Sequence, residues 1–178
     1  MNIEEPIGRH FKLKHLIYSN TAKNKSINNF PGIDKTPSQT EVVENLKKLM
    51  NIVIDPIVDV YPNLIITSGY RSINLNKSIG GSGTSQHCFG QAVDIQIPGL
   101  TTAEVYNYIY YQVTGWDQLI WEYPERGGKS WVHVSYGPRN RRKTTLASKS
   151  SNYHELYGGT RRGSSSQYQD NITDAKIV

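Results

Sequence analysis

The chain has 178 residues and a formal net charge of +5, and its 37% hydrophobic and 20% charged residues indicate a globular domain with a buried core. No apolar run approaches the ~20 residues needed to span a bilayer, and the acidic start of the chain lacks the basic and apolar stretches of a secretory signal. A single cysteine, Cys88, excludes an internal disulfide framework and a multi-cysteine metal site, so a metal would need histidine and carboxylate ligands.

Two amphipathic helices are predicted from capping signals and helical spacing. Ser38 and Glu41 have the spacing of a capping box, and apolar residues then recur at helical intervals up to Val53. The following Asp-Pro pair at residues 55–56 either interrupts this helix or starts it again, because proline fits a first helical turn. A second helix is predicted at residues 102–113, behind another capping box.

Four short strands are predicted, rich in β-branched and aromatic residues. They cover residues 64–68, 92–97, 118–123 and 130–136, and the last two flank a Gly-rich loop typical of a hairpin. Helices and strands do not alternate regularly, so the pattern predicts an α+β fold in which a small antiparallel sheet packs against helices.

The net charge is confined to the C-terminal end of the chain. Residues 1–138 contain twelve basic and twelve acidic residues, whereas residues 139–178 contain eight basic and three acidic ones. We expect a domain at 1–146 and a basic, Ser- and Gly-containing extension at 147–178. Such an extension is typical of a flexible segment or of one that docks into an assembly, such as a virion. Alternatively, it contacts an anionic polymer. Nucleic acid is not the expected partner, because the basic extension is the only feature of the sequence that suggests it.

Two predicted strands each carry one metal-capable side chain opposite their aliphatic side chains. In residues 92–97 the valine and isoleucines alternate into the core, so Asp94 points the other way, and two valines flank His133 in the same manner. His87 lies seven residues before Asp94, with an intervening glycine that permits a sharp approach to the strand. Two imidazoles and one carboxylate suit a hydrolytic zinc site, although such residues in isolation are usually solvated polar groups.

The motifs around these residues resemble those of a known family. Residues 85–94 resemble the Ser-x-His-x-x-Gly-x-Ala-x-Asp signature of the zinc D-alanyl-D-alanine carboxypeptidases and phage L-alanyl-D-glutamate endolysins. The Ser-Gly-Tyr-Arg-Ser stretch at 68–72 is similar to that family's strand-end arginine motif, and the Trp-Val-His-Val-Ser stretch at 131–135 also matches, in the family's order. The similarity runs from about residue 10 to residue 146 and points to the compact, often phage-borne branch.

The resemblance implies a role for each matching residue. It implies that His87, Asp94 and His133 bind one Zn²⁺ ion per chain. It implies that Arg71 binds or polarises the substrate carbonyl or carboxylate, which a guanidinium suits, and that Ser85 contacts substrate. Cys88 is expected to pack as a small apolar residue and not to bind the metal.

One position departs from the family pattern. Better-known members have an acidic general base three residues before the last histidine ligand, where this chain has Ser130, and a hydroxyl cannot serve as that base. The compact branch shows a glutamate where this chain has Glu122, on the strand predicted to pair with that of His133, so Glu122 is the predicted base. Glu125 lies in the loop and is less suited. Glu122 could instead be a cross-strand partner of a basic loop residue.

Together these observations predict a zinc metallopeptidase that cleaves peptidoglycan stem peptides and is encoded by a phage or prophage. We expect it to be made in the cytoplasm and to act at the bacterial cell wall, either as part of a phage particle or after release at lysis. The alternative is a non-catalytic wall-binding or virion structural module that keeps the peptidase fold.

Overall fold

The computed structural model describes residues 2–148 and 151–155. Its helices and strands are short, none longer than 11 residues. The α-helices are α1 (Leu13–Ile17), α2 (Asn20–Asn24), α3 (Gln39–Leu49), α4 (Asp55–Val60), α5 (Ile73–Ser78) and α6 (Thr102–Gln112). The strands are β1 (Pro6–Ile7), β2 (Phe11–Lys12), β3 (Ile65–Ser68), β4 (Ala92–Gln96), β5 (Gln118–Glu122), β6 (Trp131–Ser135), β7 (Lys143–Ser148) and β8 (Ser151–Glu155).

Both long helices begin as their capping signals predict. The Ser38 side chain accepts a hydrogen bond from the backbone N–H of Glu41 at the start of α3, and Thr101 and Glu104 cap α6 reciprocally. After α3 a π-helical turn, Met50–Ile54, leads directly into α4, which has its proline in the first turn. The Asp-Pro pair therefore starts a new helix and does not end the helical segment.

Six strands form the main sheet in the order β3-β4-β6-β5-β7-β8. Every neighbouring pair is antiparallel except β5 and β7, which run parallel, while β1 and β2 form a separate two-stranded ribbon. The predicted α+β class is confirmed. The sheet is larger than predicted, because β7 and β8 extend it beyond β5.

The main core lies on one face of this sheet. Val93 and Ile95 of β4 and Val132 and Val134 of β6 are fully buried there, in one apolar cluster with the inner sides of α3 and α6. The opposite face is left for polar side chains, because successive residues of a strand point to opposite faces. None of the helices in the described residues has the length and apolar character needed to cross a membrane.

The predicted boundary between domain and extension falls inside β7. Leu146 and Ala147 are both buried, and the sheet continues through β8. The greater part of the basic extension predicted for 147–178 lies outside the described residues. The division of the chain at residue 146 stays a prediction.

Candidate metal centre and active site

A short 3-10 turn, Gln86–Phe89, lies just before β4 and contains His87. The turn ends at Gly90, whose backbone φ of 69° is in the left-handed region that favours glycine. A β-carbon at Gly90 would lie 2.6 Å from the carbonyl oxygen of Val42, so a side chain does not fit there either. The His87 side chain itself is only 3% exposed.

The register of β4 and β6 places the other two predicted ligands side by side. Asp94 and His133 are direct partners across the antiparallel pair. Both point away from the aliphatic core, as the alternation of their strands predicts. Their side chains are still buried, 7% and 9% exposed.

The three side chains converge on one point. His87 Nε2 lies 3.1 Å from His133 Nδ1 and 3.2 Å from Asp94 Oδ1, and His133 Nδ1 lies 3.0 Å from Asp94 Oδ1. Four ligands at the usual zinc distances of about 2.0–2.1 Å form a tetrahedron with edges of about 3.3 Å. The triangle of donor atoms therefore fits three corners of a zinc site. Within the described part of the chain, these residues form the group able to bind a metal.

Neighbouring groups fix the orientation of two of these ligands. His87 Nδ1 donates a hydrogen bond to the carbonyl oxygen of Gly69 at 2.7 Å, which leaves Nε2 available to a metal. Arg71 donates through Nη2 to Asp94 Oδ2, so Oδ1 is the oxygen that faces the histidines. Arg71 Nε also donates to Ser68 Oγ at 2.8 Å, and this second bond holds the guanidinium in place.

The electrostatic balance keeps Asp94 ionised and His87 neutral. Burial by itself would raise the pKa of Asp94, but its interactions with His87 and His133 hold that pKa well below its ordinary value. Burial lowers the pKa of His87, and this effect outweighs the attraction of Asp94. A carboxylate and a neutral imidazole are the forms in which these side chains bind a metal.

Glu122 lies on the same sheet face as the three ligands. It pairs with Trp131 across the β5–β6 hairpin, and Ile120 pairs with His133, so Glu122 and His133 are diagonal neighbours. Glu122 is 9% exposed, and burial, only partly offset by the charge of His133, raises its pKa to about 7. No described basic residue forms a salt bridge with it, so the alternative of a cross-strand ion pair is not what the structure shows.

Ser130 is turned away from the metal-binding side chains. Its hydroxyl donates to Thr102 Oγ1 at 2.6 Å and accepts from Trp121 Nε1 at 3.4 Å, and the residue is 1% exposed. The side chain therefore serves the packing of α6 against the sheet.

Comparison with protein families decides the identity of this fold. The family described as Peptidase M15 matches residues 9–135, which include every residue of the site described above. The chain belongs to the peptidase M15 family. No curated protein matches the chain. The family match confirms the resemblance seen in the motifs, and it makes the protein a peptidase of a zinc-dependent family with a peptide as substrate.

Two further predictions for this M15 peptidase concern residues beside His87. Ser85 precedes the turn, is partly exposed and makes no capping hydrogen bond with its side chain, so its role in substrate contact stays a prediction. Cys88 is buried and is not part of the metal-binding group; burial raises the pKa of its thiol.

Two side chains that anchor the site are not recognisable from the sequence. Asn29 donates to the carbonyl oxygens of Ile17 and Tyr70 and accepts from the N–H of Ser72, so it holds the segment around Arg71. Neither its type nor its spacing distinguished it from other loop asparagines.

The second anchor is Asp117, which is 1% exposed. It accepts hydrogen bonds from Nε and Nη2 of Arg141 and from Nε2 of Gln86, the residue before His87. A buried acid held by a basic side chain from beyond β6 can be recognised only in three dimensions, since 24 residues separate Asp117 from Arg141.

Proposed function

We propose that this M15 peptidase is a zinc enzyme that hydrolyses peptide bonds in the stem peptides of peptidoglycan, as a carboxypeptidase or as an endopeptidase. The observation that carries the proposal is the buried convergence of His87, Asp94 and His133, with Glu122 on the same face of the sheet. A structural module would have no need of a carboxylate with a raised pKa beside a preformed metal-binding triangle.

One zinc ion per chain would be held by His87 Nε2, His133 Nδ1 and Asp94 Oδ1. When bound by two imidazoles and one carboxylate, zinc supplies a Lewis acid and a water molecule of lowered pKa for peptide hydrolysis. Three protein ligands leave the fourth tetrahedral position for that chemistry.

Glu122 is the proposed general base. Its carboxylate takes a proton from the attacking water and returns it to the nitrogen of the leaving amine, which a pKa near neutrality suits because both transfers must occur at one pH. Arg71 has a second proposed role besides holding Asp94. Its Nε and Nη2 are engaged, but the side chain is 17% exposed, so Nη1 can donate to the carbonyl oxygen of the substrate.

The biological setting is part of the proposal. We propose that the protein is of phage or prophage origin, acts at the bacterial cell wall, and uses the basic extension to contact anionic wall polymer or a virion assembly. The support is the family membership and the concentration of positive charge in the last 40 residues. Ser85 is proposed to contact the peptide substrate.

The decisive experiment combines metal analysis with hydrolysis of purified peptidoglycan and of synthetic stem peptides. We expect about one zinc per chain by elemental analysis, loss of zinc in His133→Ala, and loss of hydrolysis after chelation. Glu122→Gln should keep its zinc and lose hydrolysis by about 10²- to 10⁴-fold, the usual contribution of a general base. Glu125→Gln, an exposed acid on the same hairpin, is the matched control and should retain activity.

Two results would contradict the proposal. Full zinc content in His133→Ala would refute the ligand set. A zinc-loaded wild-type protein that binds peptidoglycan but releases no peptide would identify the chain as a non-catalytic wall-binding module of the same fold.

A further inference from the structure

An arginine stacked on two aromatic rings lies beside the metal-binding face. Tyr123 directly follows Glu122, and its ring centroid is 5.2 Å from that of Trp131. The guanidinium carbon of Arg126 is 4.1 Å from the centroid of the Tyr123 ring and 5.9 Å from that of Trp131. Both distances are within the range of a cation–π contact, so the rings hold the cation in one place.

This stacking leaves the hydrogen-bonding edge of the guanidinium available. A stacked guanidinium uses its flat face, whereas its N–H donors lie in the plane and point outward, in the fork that matches a carboxylate. Arg9, Arg71 and Arg141 each pair with an aspartate. Among the residues that the structure describes, no carboxylate forms a salt bridge with Arg126, which is exposed.

Arg126 and its two aromatic partners lie close to the proposed reaction centre. Trp131 and His133 are on the same face of β6, and two residues of a strand span about 7 Å, roughly the length of two residues of an extended peptide. Trp131 is also the cross-strand partner of Glu122. The positive charge of Arg126 lowers the pKa of Glu122, as do those of His133 and Arg71.

We propose that Arg126, held by Tyr123 and Trp131, is a specificity-determining residue that binds a carboxylate of the peptide substrate within about two residues of the scissile bond. This inference rests on the proposed function, because it assumes that a peptide lies along the metal-binding face. Stem peptides carry two candidate carboxylates, the α-carboxylate of the D-glutamyl residue and the C-terminal carboxylate. The loop of β5–β6 thereby selects the charged form of the substrate over its amidated form.

The test compares carboxylate and amide forms of one substrate. The zinc-loaded full chain is assayed with L-Ala-γ-D-Glu-L-Lys-D-Ala-D-Ala, with each of the two singly amidated forms, and with the doubly amidated form. We expect one amidation to lower kcat/KM of the wild type by about ten-fold, the effect of losing one charge-assisted hydrogen bond. In Arg126→Gln that difference should disappear, while hydrolysis of the correspondingly amidated peptide stays at the wild-type rate.

Two further variants distinguish carboxylate recognition by Arg126 from a general effect of positive charge and from an effect on folding. Lys129→Gln removes an exposed cation from the same hairpin and should keep the full ten-fold preference. Arg126→Lys keeps the charge but loses the planar fork, so it should keep only part of the preference. Zinc content and thermal midpoint should equal those of the wild type in all three variants.

The outcomes are distinguishable from failure of the proposed function. If the wild type shows no preference for either carboxylate, or if Arg126→Gln keeps the preference, the inference is wrong. If no peptide is hydrolysed, the proposed function fails. Calorimetric Kd values of the same four peptides then test Arg126 separately: the wild type should bind the carboxylate form more tightly than the amidated form, and Arg126→Gln should not.

Discussion

The buried carboxylate of Glu122 should destabilise the metal-free protein at alkaline pH. Its pKa is about 7 in the folded chain and has an ordinary value of 4.5. Folding therefore favours the protonated form, and stability is lost as the pH rises from the unfolded toward the folded pKa. With 1.36 kcal/mol for each pKa unit, the destabilisation is about 1 kcal/mol at pH 5 and about 3 kcal/mol at pH 8.

Replacement by glutamine removes this pH dependence, because an amide does not titrate. We expect the stability of Glu122→Gln relative to the wild type to improve by about 2.5 kcal/mol between pH 5 and pH 8. The measurement is urea unfolding of chelator-treated proteins at both pH values, with the free energy of unfolding obtained by linear extrapolation. Any constant effect of the substitution on packing cancels in the difference.

Glu125→Gln provides the control, since its carboxylate is exposed to solvent and should give only a small difference between the two pH values. An equal stability difference of Glu122→Gln from the wild type at both pH values would refute the reasoning. It would mean that water reaches the carboxylate well enough to remove the cost of burying its charge.

One further substitution and a pair of truncations test residues that support the site and the sheet. Asp117→Asn should lower the free energy of unfolding by about 2–3 kcal/mol, because Arg141 loses its buried carboxylate partner. It should also weaken zinc binding, because the hydrogen bond that holds Gln86 beside His87 is weakened. Urea unfolding and zinc titration measure the two effects, and an unchanged zinc affinity would restrict Asp117 to a structural role. Ending the chain after Leu146 removes β8 and the end of β7, so its thermal midpoint should lie below that of a chain that ends after Glu155 and keeps both strands; equal midpoints would show that β8 contributes nothing to the fold.

The metal-binding triangle could be predicted from the sequence because alternation in a strand is a local property. Asp94 and His133 each interrupt a run of aliphatic residues, which determines the face on which they lie. The capping residues of α3 and α6 were equally informative, since a cap acts over three residues. The family motifs supplied His87, whose turn has no regular periodicity.

Features that depend on distant pairing were not predictable. The face on which Glu122 lies depends on the register of the β5–β6 hairpin, which the turn determines and the strand sequences do not. The parallel alignment of β7 with β5 joins segments on either side of β6, so no local pattern indicates it. The bond between Arg71 and Asp94 likewise exists only after the sheet has formed.

The close packing of Gly69 extends the active site into the N-terminal part of the chain. The carbonyl oxygen of Gly69 orients His87, and a β-carbon on Gly69 would lie only 2.3 Å from the carbonyl oxygen of Leu16. The N–H of Tyr70 also donates to that oxygen, so α1 is joined to the segment that follows β3. A side chain at position 69 would therefore displace either α1 or the carbonyl oxygen that orients His87, although α1 contributes no side chain to the chemistry.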